Sequence, residues 1–210
     1  GQSRHGDYEG LENWIFNESI SSFFSNIGFD YSQIKSNPVN NFVVHSANKD
    51  PLLVDSKEPF FYLVKRGDKN NDFDNQLYQQ CKDVGVEFRF NTIASDKCEI
   101  VSTGTRKASA YINGSSFRTS QKNQVHLLLG HEFSPKGYAY LIIHNGYGTI
   151  ATAFKKVKNT KHNYLNNCKK YFRELDIDIS NEQDFGSRGS FAFSLSRISL
   201  PLQIGESRSF

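Results

Sequence analysis

The amino-acid sequence predicts a mixed fold of the α/β (α+β) class, in which helices pack against an antiparallel sheet. Between residues 60 and 102, a strand pattern, an amphipathic helix and a second strand pattern follow one another. From residue 107 onward, short apolar strands alternate with Gly and Asn turns, which is typical of an antiparallel sheet. A second amphipathic helix follows near residue 165.

Composition and charge limit the function classes. The 210 residues suffice for one domain, or one and a half, and 37% hydrophobic residues exclude a disordered chain. A net charge of +3 is too balanced to indicate a nucleic-acid-binding protein. The three cysteines form no Cys-x-x-Cys pair, and no apolar stretch is long enough for a transmembrane segment. We therefore expect a cytoplasmic protein, with peripheral membrane association as the alternative; the oligomeric state is left open.

The N-terminal third is predicted to contain one helix and two strands. Residues 1–13 are rich in Gly and charged residues, which predicts a loop. Apolar side chains recur at helical spacing over residues 18–27, with Asn17 as the N-cap. Residues Asn41–Ser46 and 60–64 combine β-branched and aromatic side chains between turn signals, which indicates strands.

A second helix is predicted between the N-cap Asp72 and Gly85. Four apolar side chains share one of its faces: Phe73, Leu77, Cys81 and Val84. Residues 86–90 then alternate apolar and charged side chains, as a half-buried strand does, and residues 99–102 form a further strand.

The C-terminal half is predicted to consist of strands and one helix. The strands cover residues 108–112, 125–129, 138–143 and 149–154. The helix places four side chains on one face: Leu165, Cys168, Phe172 and Leu175. A segment rich in Gly and Ser follows around Gly186 and Gly189, and two strands close the chain.

Residues 146–151 match the Gly-x-Gly-x-x-Gly/Ala pattern of dinucleotide-binding loops. Such a loop requires a strand that leads into a helix whose N-terminal amides face the phosphates. Here Thr149, Ile150 and Thr152 continue as a strand, so we interpret the match as a hairpin turn.

No metal site is predicted, because His126, His131 and His144 share no ligand spacing. The sequence also lacks a Gly-x-Ser-x-Gly nucleophile elbow, and no residue is identified as catalytic.

Polar residues flanked by glycine recur where predicted strands end, which is where α/β folds bind ligands. They include Arg66 before Gly67, Thr103 before Gly104, and Glu206 after Gly205. Arginine can pair with phosphate, and a strand-end carboxylate can accept hydrogen bonds from ribityl hydroxyls. Taken singly, each of these segments is also an ordinary turn.

Five segments follow one another along the chain: FYLVKRG at 61–67, Asp74 and Leu77 followed by Gly85-Val86, IVSTG at 100–104, SPKGYAY at 134–140, and IGE at 204–206. In this order they resemble the geranylgeranyl reductase family of FAD-dependent oxidoreductases, which have the p-hydroxybenzoate hydroxylase fold. The resemblance covers nearly the whole chain. It implies a flavoprotein oxidoreductase that uses FAD to reduce an alkene, or for related flavin chemistry, on an apolar small molecule such as an isoprenoid.

The resemblance also implies functional residues. Six would contact FAD: Arg4, Arg66, Thr103, Gly104, Gly205 and Glu206. The family's substrate signature, Tyr-x-Trp-x-Phe-Pro, aligns with residues 138–143, which implies a substrate wall of Tyr138, Tyr140 and Ile142. A buried strand is the alternative interpretation of these three residues, since apolar side chains serve both purposes.

On this basis the chain is divided into two regions. Residues 1–35, 60–106 and 196–210 are predicted to form an incomplete FAD-binding, Rossmann-like part, and residues 36–59 and 107–195 an antiparallel substrate-binding domain. The family's phosphate-binding loop does not precede Gly1, so we expect this chain alone to bind FAD weakly or not at all. The alternative function is a non-catalytic module whose sheet binds an apolar ligand or a protein partner.

Overall fold

The computed structural model describes residues 8–12, 18–47, 49–93, 98–104, 108–155, 163–189 and 201–204. Within these residues the helices are α1 (Ile20–Asn26), α2 (Phe73–Asp83) and α3 (Tyr164–Arg173), with a short 3-10 helix at Tyr31–Gln33. The strands are β1 (Tyr8–Leu11), β2 (Ser36–Val39), β3 (Asn41–Ser46), β4 (Leu52–Asp55), β5 (Phe61–Lys65), β6 (Ile100–Val101), β7 (Ala110–Arg118), β8 (Gln124–Leu129), β9 (Tyr138–His144), β10 (Tyr147–Lys155), β11 (Gln183–Gly189) and β12 (Leu202–Gln203). The predicted mixed fold class is confirmed.

Seven strands form the large sheet, in the order β11-β7-β10-β9-β8-β3-β4. Neighbouring strands are antiparallel except β3 and β8, which run parallel. Side chains alternate between the two faces of a strand, and on β9 Ala139, Leu141 and Ile143 are fully buried on the face that α3 covers. Cys168 and Phe172 of α3 complete this core. The intervening side chains of β9 therefore point away from α3.

Two smaller sheets accompany the large one. Strands β1, β5 and β2 form an antiparallel sheet in that order, and β6 pairs with β12 in parallel. Val64 of β5 is buried in a cluster with Ile20 and Phe24 of α1, and Phe73 and Leu77 of α2 pack at its edge. Helices therefore cover one side of the three-stranded sheet, and its other side faces the large sheet.

The turn between β9 and β10 confirms the interpretation of residues 146–151 as a hairpin. His144 pairs with Tyr147, so only Asn145 and Gly146 form the turn. Their φ angles are 49° and 80°, as a two-residue type I′ turn requires. Because β10 continues as a strand to Lys155, no helix N-terminus is present here to hold a phosphate.

Some predicted elements are wrong. Tyr8–Leu11, inside the predicted loop over residues 1–13, form a strand because β5 supplies a pairing partner. Residues 86–90, predicted as a strand, belong to no sheet, since no described strand pairs with them. The Gly- and Ser-rich segment forms β11, which pairs with β7. Within residues 36–59, β3 and β4 lie in the large sheet and β2 pairs with β5. The predicted division of the chain into two regions stays a prediction.

The predicted helices are confirmed, with differences at their ends. Helix α1 begins after Ser19, whose hydroxyl accepts a hydrogen bond from the Ser22 amide at 3.1 Å. The predicted cap, Asn17, lies outside the described residues. Val84 and Leu175 lie beyond the ends of α2 and α3, so their side chains are exposed rather than part of the apolar faces. Of the helices described, none combines the length and the apolar character needed to cross a membrane.

Candidate functional site

A cleft of about 1550 Å³ lies between the three-stranded sheet and the face of the large sheet that points away from α3. Glu9 and Gly10 of β1 and Phe61 of β5 line one side. The large sheet supplies mainly aromatic and aliphatic side chains, among them Phe42, Tyr138, Tyr140, Ile142 and Phe185. Such a space, with apolar walls and a few polar groups, suits a small organic molecule.

The predicted substrate wall is assembled on β9. The three residues occupy alternate positions of this strand, namely Tyr138, Tyr140 and Ile142. Their side chains therefore share the face of the strand that lines the cleft. Ile142 is buried with Leu63 of β5, and Tyr140 packs against the same cluster. The structure therefore brings these three predicted residues together, and their binding role stays a prediction.

Tyr138 and Tyr140 add hydroxyl groups to this wall; Tyr138 is 47% exposed, and Tyr140 is partly buried. The ring centroids lie 6.4 Å apart. Burial raises the pKa of both phenols, and the nearby carboxylates of Glu12 and Glu9 raise the pKa of Tyr138 and Tyr140 respectively. Neither hydroxyl has a hydrogen-bond partner among the residues that the structure describes. Both remain protonated at neutral pH and can donate a hydrogen bond to a ligand.

Arg66 lines the cleft, and its guanidinium group donates hydrogen bonds to carboxylates of the protein. Its Nε and Nη2 atoms donate to the two carboxylate oxygens of Asp74 at 2.8 and 2.7 Å, and Nη1 donates to Glu9 at 2.6 Å. Burial acts to raise the pKa of Asp74, yet the hydrogen bonds from Arg66 and the Gly67 amide lower it overall. Arg66 therefore joins β1, β5 and α2 through three of its five N–H donors.

Thr103 and Gly104 lie apart from the cleft, directly after β6. Leu202 of β12 pairs with Ile100 of β6, and the two strands run parallel. Their carboxyl ends therefore lie at the same edge, which is where open sheets bind ligands. Gly104 has a φ angle of 80°, and a Cβ atom there would meet nothing within 4 Å, so a ligand can approach its backbone closely. Arg4, Gly205 and Glu206 lie outside the described residues.

Sequence reasoning missed a buried histidine pair on the other face of the large sheet. His45 Nε2 and His126 Nδ1 are 2.8 Å apart, on the parallel strands β3 and β8. His126 Nε2 lies 2.8 Å from Gln124 Oε1, and His45 Nδ1 lies 3.1 Å from the Tyr171 hydroxyl of α3. The residues are 81 positions apart, and no local spacing could indicate their contact.

The hydrogen-bond partners of the two histidines determine which ring nitrogens carry a hydrogen. Because an amide oxygen only accepts, His126 Nε2 carries a hydrogen and His126 Nδ1 is the acceptor. His45 Nε2 then donates to His126, and His45 Nδ1 accepts from the Tyr171 hydroxyl. Both rings are neutral and fully satisfied. Burial lowers the pKa of both, and the neighbouring His45 contributes to lowering the pKa of His126 to about 4.

No protein-family model and no curated protein matches this sequence. Solved structures match by fold. A geranylgeranyl bacteriochlorophyll reductase-like protein from Thermoplasma acidophilum is 16% identical, with a TM-score of 0.57 over 98% of this chain and 62% of that one. The peptidyl tryptophan dihydroxylase QhpG is 11% identical, with a TM-score of 0.59 over 89% of this chain and 48% of its own. FqzB is 10% identical, with a TM-score of 0.60 over 98% and 61%.

At these identities the likeness shows the fold alone. The chain spans between 48% and 62% of the length of the structures it matches. The fold-level part of the predicted resemblance is therefore confirmed: this chain has the fold of a large part of these proteins.

Proposed function

We propose that the chain is part of a flavin-dependent oxidoreductase that acts on an apolar small molecule, and that the cleft binds this substrate. The observation that carries the proposal is the position of Tyr138 and Tyr140 on the cleft face of β9, where neither hydroxyl has a hydrogen-bond partner among the described residues. The fold shared with a reductase-like protein and a dihydroxylase supports redox chemistry. An isoprenoid fits the apolar walls and is the substrate class that the sequence resemblance favours.

The described residues fit FAD at one place. Thr103 and Gly104 follow the carboxyl end of β6, where the open backbone at Gly104 permits close approach, so these two residues would hold part of the cofactor. Arg66 donates three of its five N–H groups to Asp74 and Glu9, and its role in holding FAD stays a prediction. FAD, when bound, supplies the electron transfer.

The residues of this chain bind and orient the substrate. Phe42, Phe61 and Ile142 exclude water from its apolar part. Tyr138 and Tyr140 donate hydrogen bonds to an acceptor oxygen on the substrate, which fixes its orientation against the sheet. Their raised pKa values keep them as donors throughout the neutral range.

The test is binding of a prenyl ketone, geranylacetone, measured by equilibrium dialysis. We expect the parent chain to bind it and Tyr140→Phe to bind about fivefold to tenfold more weakly, since one hydrogen bond is lost. Tyr140→Ala removes the ring as well and is expected to bind more weakly still. Tyr171→Phe removes a phenol from the opposite face of the sheet and serves as the control. Equal affinity for all four proteins would contradict the proposed site.

A second candidate is the non-catalytic module that binds an apolar ligand. It is favoured by one observation, that two of the described predicted flavin contacts, Thr103 and Gly104, do not line the cleft. Binding of the ketone without flavin agrees with both candidates. Turnover of a bound substrate by a longer polypeptide that is loaded with FAD would decide for the enzyme.

A further inference from the structure

Residues 86–90, Val-Glu-Phe-Arg-Phe, have the side-chain arrangement of a strand without belonging to a sheet. The rings of Phe88 and Phe90 stack at an angle of 11°, with centroids 6.1 Å apart. Glu87 and Arg89, which alternate with them, form an ion pair at 2.9 Å. Contacts between residues two apart on both sides mean that the segment is locally extended, with one apolar and one charged side, until it ends in a turn at Phe90 and Asn91, where Asn91 has a φ angle of 54°.

The backbone of this segment has no pairing partner. Val86 donates its amide to Cys81 at the end of α2. Beyond it, no other backbone–backbone hydrogen bond involves residues 87–90 within the described chain. The Phe90 carbonyl accepts a hydrogen bond from the Thr92 hydroxyl at 3.1 Å, whereas the N–H and C=O groups of residues 87–89 have no hydrogen-bond partner among the described residues. Such unpaired groups form an open strand edge, which favours pairing with another strand.

The apolar side of the segment is also uncovered. Phe90 is 71% exposed and Val86 47% exposed, although Phe88 packs on Tyr78 of α2 with centroids 4.6 Å apart. Ile93, three residues further along the chain, is 96% exposed. A contiguous exposed apolar patch of this kind marks an interaction site.

The segment is complementary to a second copy of itself that runs in the opposite direction. When two copies pair antiparallel about Phe88, Val86 lies opposite Phe90, Phe88 lies opposite Phe88, and Glu87 lies opposite Arg89. Every apolar residue then meets an apolar residue, and both charged pairs are of opposite sign, which stabilises cross-strand neighbours. No other register of the segment with itself achieves this. A two-fold axis through Phe88 relates the copies, as a closed dimer requires.

We propose that residues 86–90 are an interface between two copies of this chain, paired as antiparallel strands in the register Glu87 to Arg89. The pairing provides hydrogen-bond partners for the open edge and brings the aromatic side chains of the two copies together. The strand that the sequence pattern predicts here then forms by pairing with the partner copy.

The test is the oligomeric state, measured by sedimentation over a wide range of concentrations. We expect a dimer of the parent chain. Glu87→Arg and Arg89→Glu each place two like-charged pairs opposite one another and are expected to weaken dimerisation about tenfold or more. The exchange of both residues, Glu87→Arg with Arg89→Glu, recreates two opposite-charge pairs and is expected to restore the dimer.

Two controls accompany these variants. Glu58→Arg changes the net charge as much as Glu87→Arg does, at an exposed position outside the segment, and is expected to leave the dimer intact. Since the side chains of Glu87 and Arg89 are both 73% exposed, far-UV circular dichroism is expected to show unchanged folding. A monomeric parent chain would overturn the proposal in favour of another polypeptide as the partner. A dimer that the single reversals leave unaffected, or that the exchange does not restore, would overturn it as well.

Discussion

His45 Nε2 donates a hydrogen bond to His126 Nδ1 across 2.8 Å, in the core between the large sheet and α3. Phe172 lies against both imidazole rings, with centroids 5.8 and 5.6 Å away. Among the described residues, the hydrogen-bond partners of the pair are Tyr171 and Gln124, and neither carries a charge. A proton added to either ring would therefore be buried without a counter-ion, and it would turn the acceptor nitrogen of the pair into a second donor.

The first prediction is that the free energy of unfolding falls as the pH is lowered from about 6.5 to about 4. Unfolded histidine has a pKa of about 6.5, whereas burial holds the pKa of His126 at about 4 in the folded protein. Within this window the unfolded chain binds the proton and the folded chain does not, so stability rises with pH. The expected loss at the acid end is about 3 kcal/mol at most. Urea unfolding at a series of pH values measures it.

His126→Gln and the exposed His131→Gln are the paired variants for this titration. His126→Gln is expected to flatten the pH dependence even if its stability is lower throughout, because the slope reports protons and not packing. His131→Gln is expected to keep the parent slope. A parent slope retained in His126→Gln would rule out the buried pair as its source.

The second prediction concerns Lys169 of α3, which is 4% exposed and holds β11. Its ammonium group lies 2.9 Å from Glu182 and 3.1 Å from Asp184, and the hydroxyl of Ser115 also donates to Asp184. Lys169→Met is expected to lower the free energy of unfolding by about 1–3 kcal/mol, since charged hydrogen bonds are lost from a buried position.

Lys170→Met is the control for this change. Lys170 is the next residue of α3, but its side chain is 79% exposed and 3.9 Å from Glu174. Its substitution is expected to change stability by less than about 0.5 kcal/mol. Equal effects of the two variants in urea unfolding would show that Lys169 is no more than a surface residue.

The third prediction concerns Gly137, directly before the tyrosines of β9. A Cβ atom at this position would overlap the carbonyl oxygen of Ala153 and lie 2.7 Å from the hydroxyl of Ser134. Gly137→Ala therefore has to displace β10 or the start of β9, at a cost of about 1–3 kcal/mol.

Gly186→Ala is the matched control, since the nearest atom to its Cβ would be the Ile112 carbonyl oxygen at 3.8 Å, an ordinary contact. Both glycines line the cleft. We expect thermal unfolding and ketone binding to be impaired in Gly137→Ala and close to the parent in Gly186→Ala. Normal binding by a stable Gly137→Ala protein would contradict the close packing of β9 on β10.

The fourth prediction separates the structural role of Arg66 from a role in holding FAD. A double-mutant cycle with Arg66→Met and Asp74→Asn is expected to give a coupling of about 1–3 kcal/mol in the free energy of unfolding. The affinity of this chain for FAD is expected to be weak, because its single Gly-x-Gly-x-x-Gly/Ala match lies in a hairpin.

Flavin fluorescence titration of the same variants completes this experiment. Arg66→Met is expected to leave the weak FAD affinity unchanged, since the guanidinium group donates hydrogen bonds to Asp74 and Glu9 in the parent. A large loss of FAD affinity, combined with a coupling near zero, would instead assign Arg66 to the cofactor.

Local sequence patterns predict correctly those elements that need no strand partner from a distant part of the chain. The helices α2 and α3 and the hairpin between β9 and β10 follow from side-chain periodicity and from Asn145-Gly146, which need no distant partner. β1 and β11 contain glycine and charged residues, and they are strands only because β5 and β7 pair with them. Residues 86–90 show the converse, a strand pattern for which the described chain supplies no partner.

The candidate site was predictable to the extent that it lies on one strand. Alternation along β9 places Tyr138, Tyr140 and Ile142 on a single face, and the structure adds the opposing wall from β1 and β5. The occupation of Arg66 by Asp74 and Glu9 could not be predicted, because Glu9 is 57 positions away and reaches Arg66 only through the β1–β5 pairing.

The parallel pairing of β3 with β8 affects how fast the chain folds. Strands β8, β9 and β10 follow one another and pair in that order, whereas β3 joins them by closing a loop between positions as distant as His45 and His126, which are 81 residues apart. Closing so long a loop costs entropy before any contact is gained, so β3 docks late. In stopped-flow kinetics, His126→Gln is therefore expected to accelerate unfolding and to leave the refolding rate nearly unchanged.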